Sequence, residues 1–207
     1  AGFCQTSDGF LVSDELHRIY FRPQNVDKFH LLPVSIPPDV GNMNIAARKD
    51  GHIFITGHEG WLFWLKPGSG QPQVYNQFNV NEPMPGYFSC VSSPTFDQLG
   101  RLWLRTCGGF SIFVPEEDRF LHFPLKTSKS IQLEAYSSFL LDTQNRMWTC
   151  GNGAIGWFDP VKPGEGLQQR FGPAEGYAFS EVGLAFFVKG KLWMHEKEGL
   201  TEFDPEH

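Results

Sequence analysis

The sequence predicts an all-β protein, and two observations carry that prediction: a motif that returns about every 45 residues, and a turn residue held at a fixed offset inside it. Four units share a turn glycine or asparagine, an aromatic three residues on, further apolar residues and a closing proline. They read DGHIFITGHEGWLFWLKP from Asp50, DQLGRLWLRTCGGFSIFVP from Asp97, DTQNRMWTCGNGAIGWFDP from Asp142 and KGKLWMHEKEGLTEFDP from Lys189. Their aromatics are Phe54, Trp103, Trp148 and Trp193, so the steps are 49, 45 and 45 residues. A worn fifth copy, DGFLVSDELHRIYFRP, puts Val12 in the aromatic slot, 42 residues before Phe54. Repeats of roughly 40–50 residues built from short strands form β-propeller blades. The expectation is therefore a β-propeller of four-stranded antiparallel blades, about five repeats with the first worn and the last incomplete.

The repeats fall at about 1–35, 40–80, 87–126, 134–173 and 180–207, as one propeller domain or a fragment of a larger one. The third unit is the clearest. YFSCVSSPTF makes a first strand, DQLG a tight turn, RLWLRT a second strand, CGG a turn, FSIFVP a third strand and RFLHF an outer fourth. Gly100 supplies the positive φ that such a turn needs, and Gly51, Asn145 and Gly190 occupy its slot elsewhere. Asparagine is the common side chain that tolerates the left-handed region. A single blade cannot bury its own faces, so Trp103, Trp148 and Trp193 are expected to pack against neighbouring blades. The prolines at 67, 115, 160 and 205 end strands. After Phe203 the last copy has no outer strand. Either AGFCQT completes that blade and closes a five-bladed ring, or the ring is larger.

Composition narrows the function classes. With 17 basic against 23 acidic residues the net charge is −6, and no basic stripe offers itself to a phosphate backbone, so a nucleic-acid partner is not expected. No run of 18 apolar residues occurs, and no membrane contact by this chain is expected. Cys4, Cys90, Cys107 and Cys150 occupy different slots in different repeats. Equivalent strands of neighbouring blades lie too far apart to bridge, so free thiols are expected.

The text DQLGRLWLRTCGGFSIFVPEEDRFLHF resembles the two-component-regulator propeller repeat, whose pattern is an acidic residue, a turn glycine, a Leu-Trp pair, a Thr, a Gly-apolar pair and then an aromatic-Asp-Pro. The resemblance covers nearly the whole chain, best at Asp97 and poorest in the first unit. It implies the sensor region of a bacterial hybrid histidine kinase or related regulator, a class that is periplasmic and often responds to carbohydrates. No kinase or receiver motif is present, so the chain itself is not expected to be an enzyme.

A ligand site is expected on the rim where the loops between strands two and three open, together with the connections between blades. His58, Glu59, Arg105, Asn152, His195 and Glu196 belong to those loops or strand ends, and Tyr87, Tyr136 and Tyr177 to the segments that enter strand one. Charged and amide groups beside tyrosine rings suit a small-molecule or oligosaccharide ligand. Each is also an ordinary solvated turn residue or rim packing when taken singly. His52 and His58 open opposite rims, so they cannot share a metal ion. His58 with His195 lacks a fixed third ligand, and no metal or cofactor is expected. Alternatives are a protein-protein interaction propeller, with a homodimer through open blade edges, and a propeller-scaffold lyase or glycoside hydrolase, for which Glu59 and Glu196 are the carboxylates.

Overall fold

The computed structural model describes residues 2–81, 86–124, 139–151, 153–179, 182 and 184–206. Their strands form five antiparallel sheets, the blades of a β-propeller. Blade one holds β1 (Phe3–Gln5), β2 (Gly9–Ser13), β3 (Ile19–Pro23) and β4 (His30–Leu31). Blade two holds β5 (Met43–Ala47), β6 (Ile53–Gly57), β7 (Trp61–Leu65) and β8 (Gln73–Tyr75). Blade three holds β9 (Val91–Phe96), β10 (Leu102–Thr106), β11 (Gly109–Val114) and β12 (Arg119–Pro124). Blade four holds β13 (Phe139–Leu141), β14 (Met147–Gly151), β15 (Ala154–Phe158) and β16 (Leu167–Phe171). Blade five has three strands among the described residues, β17 (Leu184–Val188), β18 (Lys191–Glu196) and β19 (Gly199–Phe203). Each blade is a meander, and β1, in the AGFCQT segment, pairs with β2 rather than completing the last blade.

The aromatic slot is the seam between blades. Phe54 packs on Leu102, Leu104 and Phe113 of blade three, and Trp103 on Phe139, Met147 and Phe158 of blade four. Trp148 meets Ala185, Leu192, Met194 and Phe203 of blade five. All three anchors are fully buried. Trp193 departs from the expectation. It is only half-buried, because it lies on the face of β18 opposite Leu192 and Met194, and no described blade covers that face.

Below two of these anchors sits a repeated polar turn. The Asp97 carboxylate accepts the Leu99 and Arg101 backbone N–H groups on Oδ1, and Arg101 Nε (2.8 Å) and Trp103 Nε1 (3.0 Å) on Oδ2. Asp142 repeats the set with Gln144, Arg146 (2.6 Å) and Trp148 (2.8 Å). Asn145 closes that turn at φ 63, as Gly100 does at φ 75. In blade two Arg48 replaces the aspartate and His52 the arginine, and His52 Nδ1 accepts the Trp64 indole N–H at 2.7 Å. The arginines also reach forward. Arg48 donates to the Gly100 carbonyl (3.3 Å) and Glu116 of blade three, Arg101 to the Pro160 carbonyl of blade four, and Arg146 to Glu206 (2.7 Å) beyond blade five's last strand.

Two further expectations are corrected. In blade one the inward residue is Leu11, packed on Met43, Ile45 and Ile55, whereas Val12 is half-exposed. The first turn there is closed by Thr6 N–H to the Gly9 carbonyl, with two residues between; the Asp97 turn closes on Arg101 with three. Gly9 is thus the first residue of β2 and Asp8 the last of the turn, so the anchor three residues past the turn is Leu11, and in a strand one position is the opposite face. Cys90 and Cys107 are disulfide-bonded across 17 residues with Cα atoms 5.3 Å apart, not free. Bridges between blades are ruled out by distance, but these cysteines share a blade: Val91 pairs with Thr106, which puts them side by side at the ends of β9 and β10. Cys4 and Cys150 are free thiols, and burial pushes Cys150 up to about 12.

Candidate functional site

The turns between strands one and two, with the polar sets above, make the lower rim. The loops between strands two and three, and the connections between blades, make the upper rim. There the slot two residues beyond each anchor differs in every blade: Ser13, Thr56, Arg105, Cys150 and His195. Ser13 Oγ accepts the Gly2 N–H at 2.6 Å.

Arg105 is the unusual member. Its residue is 4% exposed, on the face of blade three that holds Trp103 and Phe110. Its one hydrogen bond among the described residues runs from Nη1 to Ser92 Oγ at 3.4 Å, and its Nε has no partner. A guanidinium cannot shed its charge at neutral pH, and a buried one usually faces a carboxylate or several acceptors. Burial lowers its affinity for the proton. Arg105 thus presents an unused donor at the seam of blades three and four.

The other sequence candidates do not gather around it. His58 and Glu59 are both exposed, with Nδ1 and Oε1 3.9 Å apart, and they line a cleft of about 450 Å3 between blades one and two with Asp14, Glu15 and His17. His195 and Glu196 point to opposite faces of β18: His195 to the uncovered one, and Glu196 into a cleft of about 460 Å3 with Phe179, Glu198 and Thr201. Tyr87 is 1% exposed; its hydroxyl donates to the Phe110 carbonyl and accepts the Phe123 N–H at 3.2 Å. That makes it a brace inside blade three. Tyr177 packs edge-on against Phe171 and Phe203 and stacks on Phe179 at 5.7 Å. Asn152 and Tyr136 lie outside the described residues.

A second space adjoins the His58 cleft and was not legible in the repeat pattern. It is an open cleft of about 600 Å3, shares Gly41 and Glu59 with the first, and is lined by Asp39, Trp61, Asn76, Gln77 and Phe78. Gly41 forms the saddle between the two at φ +72, where a Cβ would sit 3.4 Å from Glu59 Cγ. The signal that could have found it is an aromatic at 78 outside the repeated slots, set between Asn76 and Asn79. Among the described residues no group of three His, Cys, Asp or Glu is arranged to hold a metal ion, and no helix is long and apolar enough to cross a membrane.

This geometry defines a β-propeller whose lower rim repeats a carboxylate turn in blades three and four and whose upper rim differs in every blade. The fold is shared with the virginiamycin B lyase of Staphylococcus aureus, at a TM-score of 0.66 and 16% identity over 98% of this chain and 69% of that one. It is shared equally with the extracellular domain of BT3049 from B. thetaiotaomicron, described as a hybrid two-component system, at 0.66 and 17% over 97% of this chain and 26% of that one. PorZ, a surface component of the type-IX secretion system of Porphyromonas gingivalis, matches at 0.66 and 12%, with 32% of its chain covered. The chain therefore spans about a quarter to a third of the larger propeller proteins it resembles. No family model and no curated protein sequence matches it.

Proposed function

We propose that this chain is the ligand-sensing, extracytoplasmic propeller of a bacterial signalling receptor of the two-component or hybrid histidine kinase type, recognising a carbohydrate or similar small ligand on its upper rim. The chain binds and does not catalyse; signalling chemistry belongs to other parts of the receptor. Likeness of fold to extracellular sensor domains supports this reading, as does the Cys90–Cys107 disulfide, since such bridges persist in oxidising compartments such as the periplasm. The carrying observation is Arg105. A buried guanidinium with one long hydrogen bond is stabilised when a ligand hydroxyl, carbonyl or carboxylate pairs with it.

The test is calorimetric titration of a saccharide panel into wild type and Arg105→Ala. Loss of the charged donor should weaken a bound saccharide by about 1–3 kcal/mol. Equal affinities would remove Arg105 from the site.

A second reading, self-association through the last blade, is favoured by a specific feature. Phe186, Val188 and Leu200 are 37%, 44% and 60% exposed on the same side as Trp193. Uncovered apolar sheet faces and free strand edges favour pairing. Sedimentation of the purified chain at rising concentration decides between monomer and dimer.

A further inference from the structure

We infer that the open cleft on the upper rim of blade two, separated from the His58 cleft by Gly41 and Glu59, is a binding site for an organic cation: an amine or guanidinium carried on an apolar body. The inference rests on reading the upper rim as the ligand-binding face, and it concerns a place distinct from Arg105.

The first observation is Phe78, 86% exposed. A phenyl ring left in water is unremarkable on a slack loop, but this one is held. Asn76 Oδ1 accepts the Phe78 N–H at 2.9 Å, Asn79 Oδ1 accepts the Asn76 N–H at 2.7 Å, and Asn79 Nδ2 donates to the Val74 carbonyl at 2.9 Å. The turn fixes the backbone that carries the ring, so less order has to be imposed when a ligand arrives. Trp61, half-buried and stacked on Phe63 at 5.8 Å, supplies a second aromatic wall.

The second observation is charge. Asp39 and Glu59 line this cleft, and Glu15 lines the adjoining one. Asp39 and Glu15 have no ion pair among the described residues, and Glu59 has only His58 at 3.9 Å. No lysine or arginine lines either space. Asp14 differs, since Arg18 holds its carboxyl down to about 2 and pairs with the ionised carboxylate. Unpaired carboxylates repel phosphate, sulfate and carboxylate ligands and attract cations, while aromatic faces bind the same cations through their quadrupoles. Asn76 and Gln77 add polar contacts beside the ring. Neutral polyols would use the rings and amides but leave the carboxylates without a charge partner.

Phenethylamine, 2-phenylethanol and phenylacetate share one body and differ in charge, so their NMR titration into the chain reads the preference directly. Saturable binding of the amine, about tenfold or more tighter than the alcohol, with none of the carboxylate, is expected. Phe78→Ala and Glu59→Gln, both at exposed positions, should each weaken the amine about three- to tenfold without moving the melting temperature. An N-acetylated, C-amidated phenylalanyl-arginine in the same titration separates sources: tighter binding than the amine points to a basic peptide, weaker binding to a free amine. The inference fails if the alcohol binds as tightly as the amine, or if both variants bind like wild type. It also fails if a saccharide occupies the cleft with the same dependence on Phe78 and Glu59. A saccharide that depends on Arg105 alone would leave the sensor reading standing while the amine result decides this one.

Discussion

Blades four and five carry the same tryptophan in the same slot, and the protein treats the two rings differently. Trp148 is sealed between blades, and the Asp142 carboxylate accepts its indole N–H. Trp193 sits two residues past Lys191, as Trp148 sits two past Arg146, yet its face is uncovered. Its turn is also different: Lys189 and Gly190 make a two-residue connection with φ 51 and 81, and Val188 stands where the aspartate would be. Blade two offers a third version, with His52 taking the indole proton of Trp64. The slot sets where an aromatic points; the neighbouring blade and the turn set how much it stabilises.

Removing each ring in turn should give the largest difference. Trp148→Ala should cost about 3–5 kcal/mol in denaturant unfolding, because it leaves a cavity lined by Leu192, Met194 and Phe203. Trp193→Ala should cost less than about 1 kcal/mol, as its ring is already half in water. Equal losses would show that the slot alone, and not the covering blade, determines its energy.

Next in size is the carboxylate. Asp142→Ala strands the Trp148 indole N–H and two backbone donors and frees Arg146, for an expected loss of about 3 kcal/mol by the same measurement. A loss under about 1 kcal/mol would mean that water replaces the carboxylate at no cost.

Smaller again is the turn residue. Asn145 holds φ 63, so Asn145→Gly should be neutral or slightly stabilising, while Asn145→Val should cost about 1–2 kcal/mol. A tolerated valine would contradict the left-handed turn.

The smallest effect is a pH slope in blade two. Desolvation, opposed in part by Asp50, holds His52 below its ordinary value of 6.5 in the folded chain. The unfolded chain then binds the proton first, so stability should fall as pH drops below about 6.5 and level off once the folded imidazole is also protonated. His52→Gln should flatten that part of the melting-temperature profile, and an unchanged slope would assign it to other groups.

What the sequence disclosed is what a single turn of chain can encode. The anchors at Phe54, Trp103 and Trp148 and the left-handed residue at Asn145 follow from local spacing, and each is where that spacing puts it. Leu11 was hidden because Gly9 opens β2 instead of ending the turn, which spacing cannot register until strand pairing is known. The Cys90–Cys107 bridge joins residues that are neighbours only through the β9–β10 ladder. Tyr87 reads as a rim residue by position and is a core brace, because Phe110 and Phe123 close over its hydroxyl. Arg105 was legible as a rim charge, but its missing partner is a property of packed blades. Phe78 belongs to no repeat and so carried no periodic signal.

The forward reach of the lower-rim arginines also has a meaning in time. Arg48 is joined to Gly100 and Glu116, 52 and 68 residues later, Arg101 to Pro160 after 59, and Arg146 to Glu206 after 60. Every tie runs from a blade made earlier to one made later. At roughly 5–20 residues per second, a ribosome delivers each acceptor about 3–14 seconds after its arginine. Until that acceptor is present, the arginine lacks that partner and the blade's anchor face lacks its cover. Of the described blades, the fifth is the one whose tryptophan face remains bare.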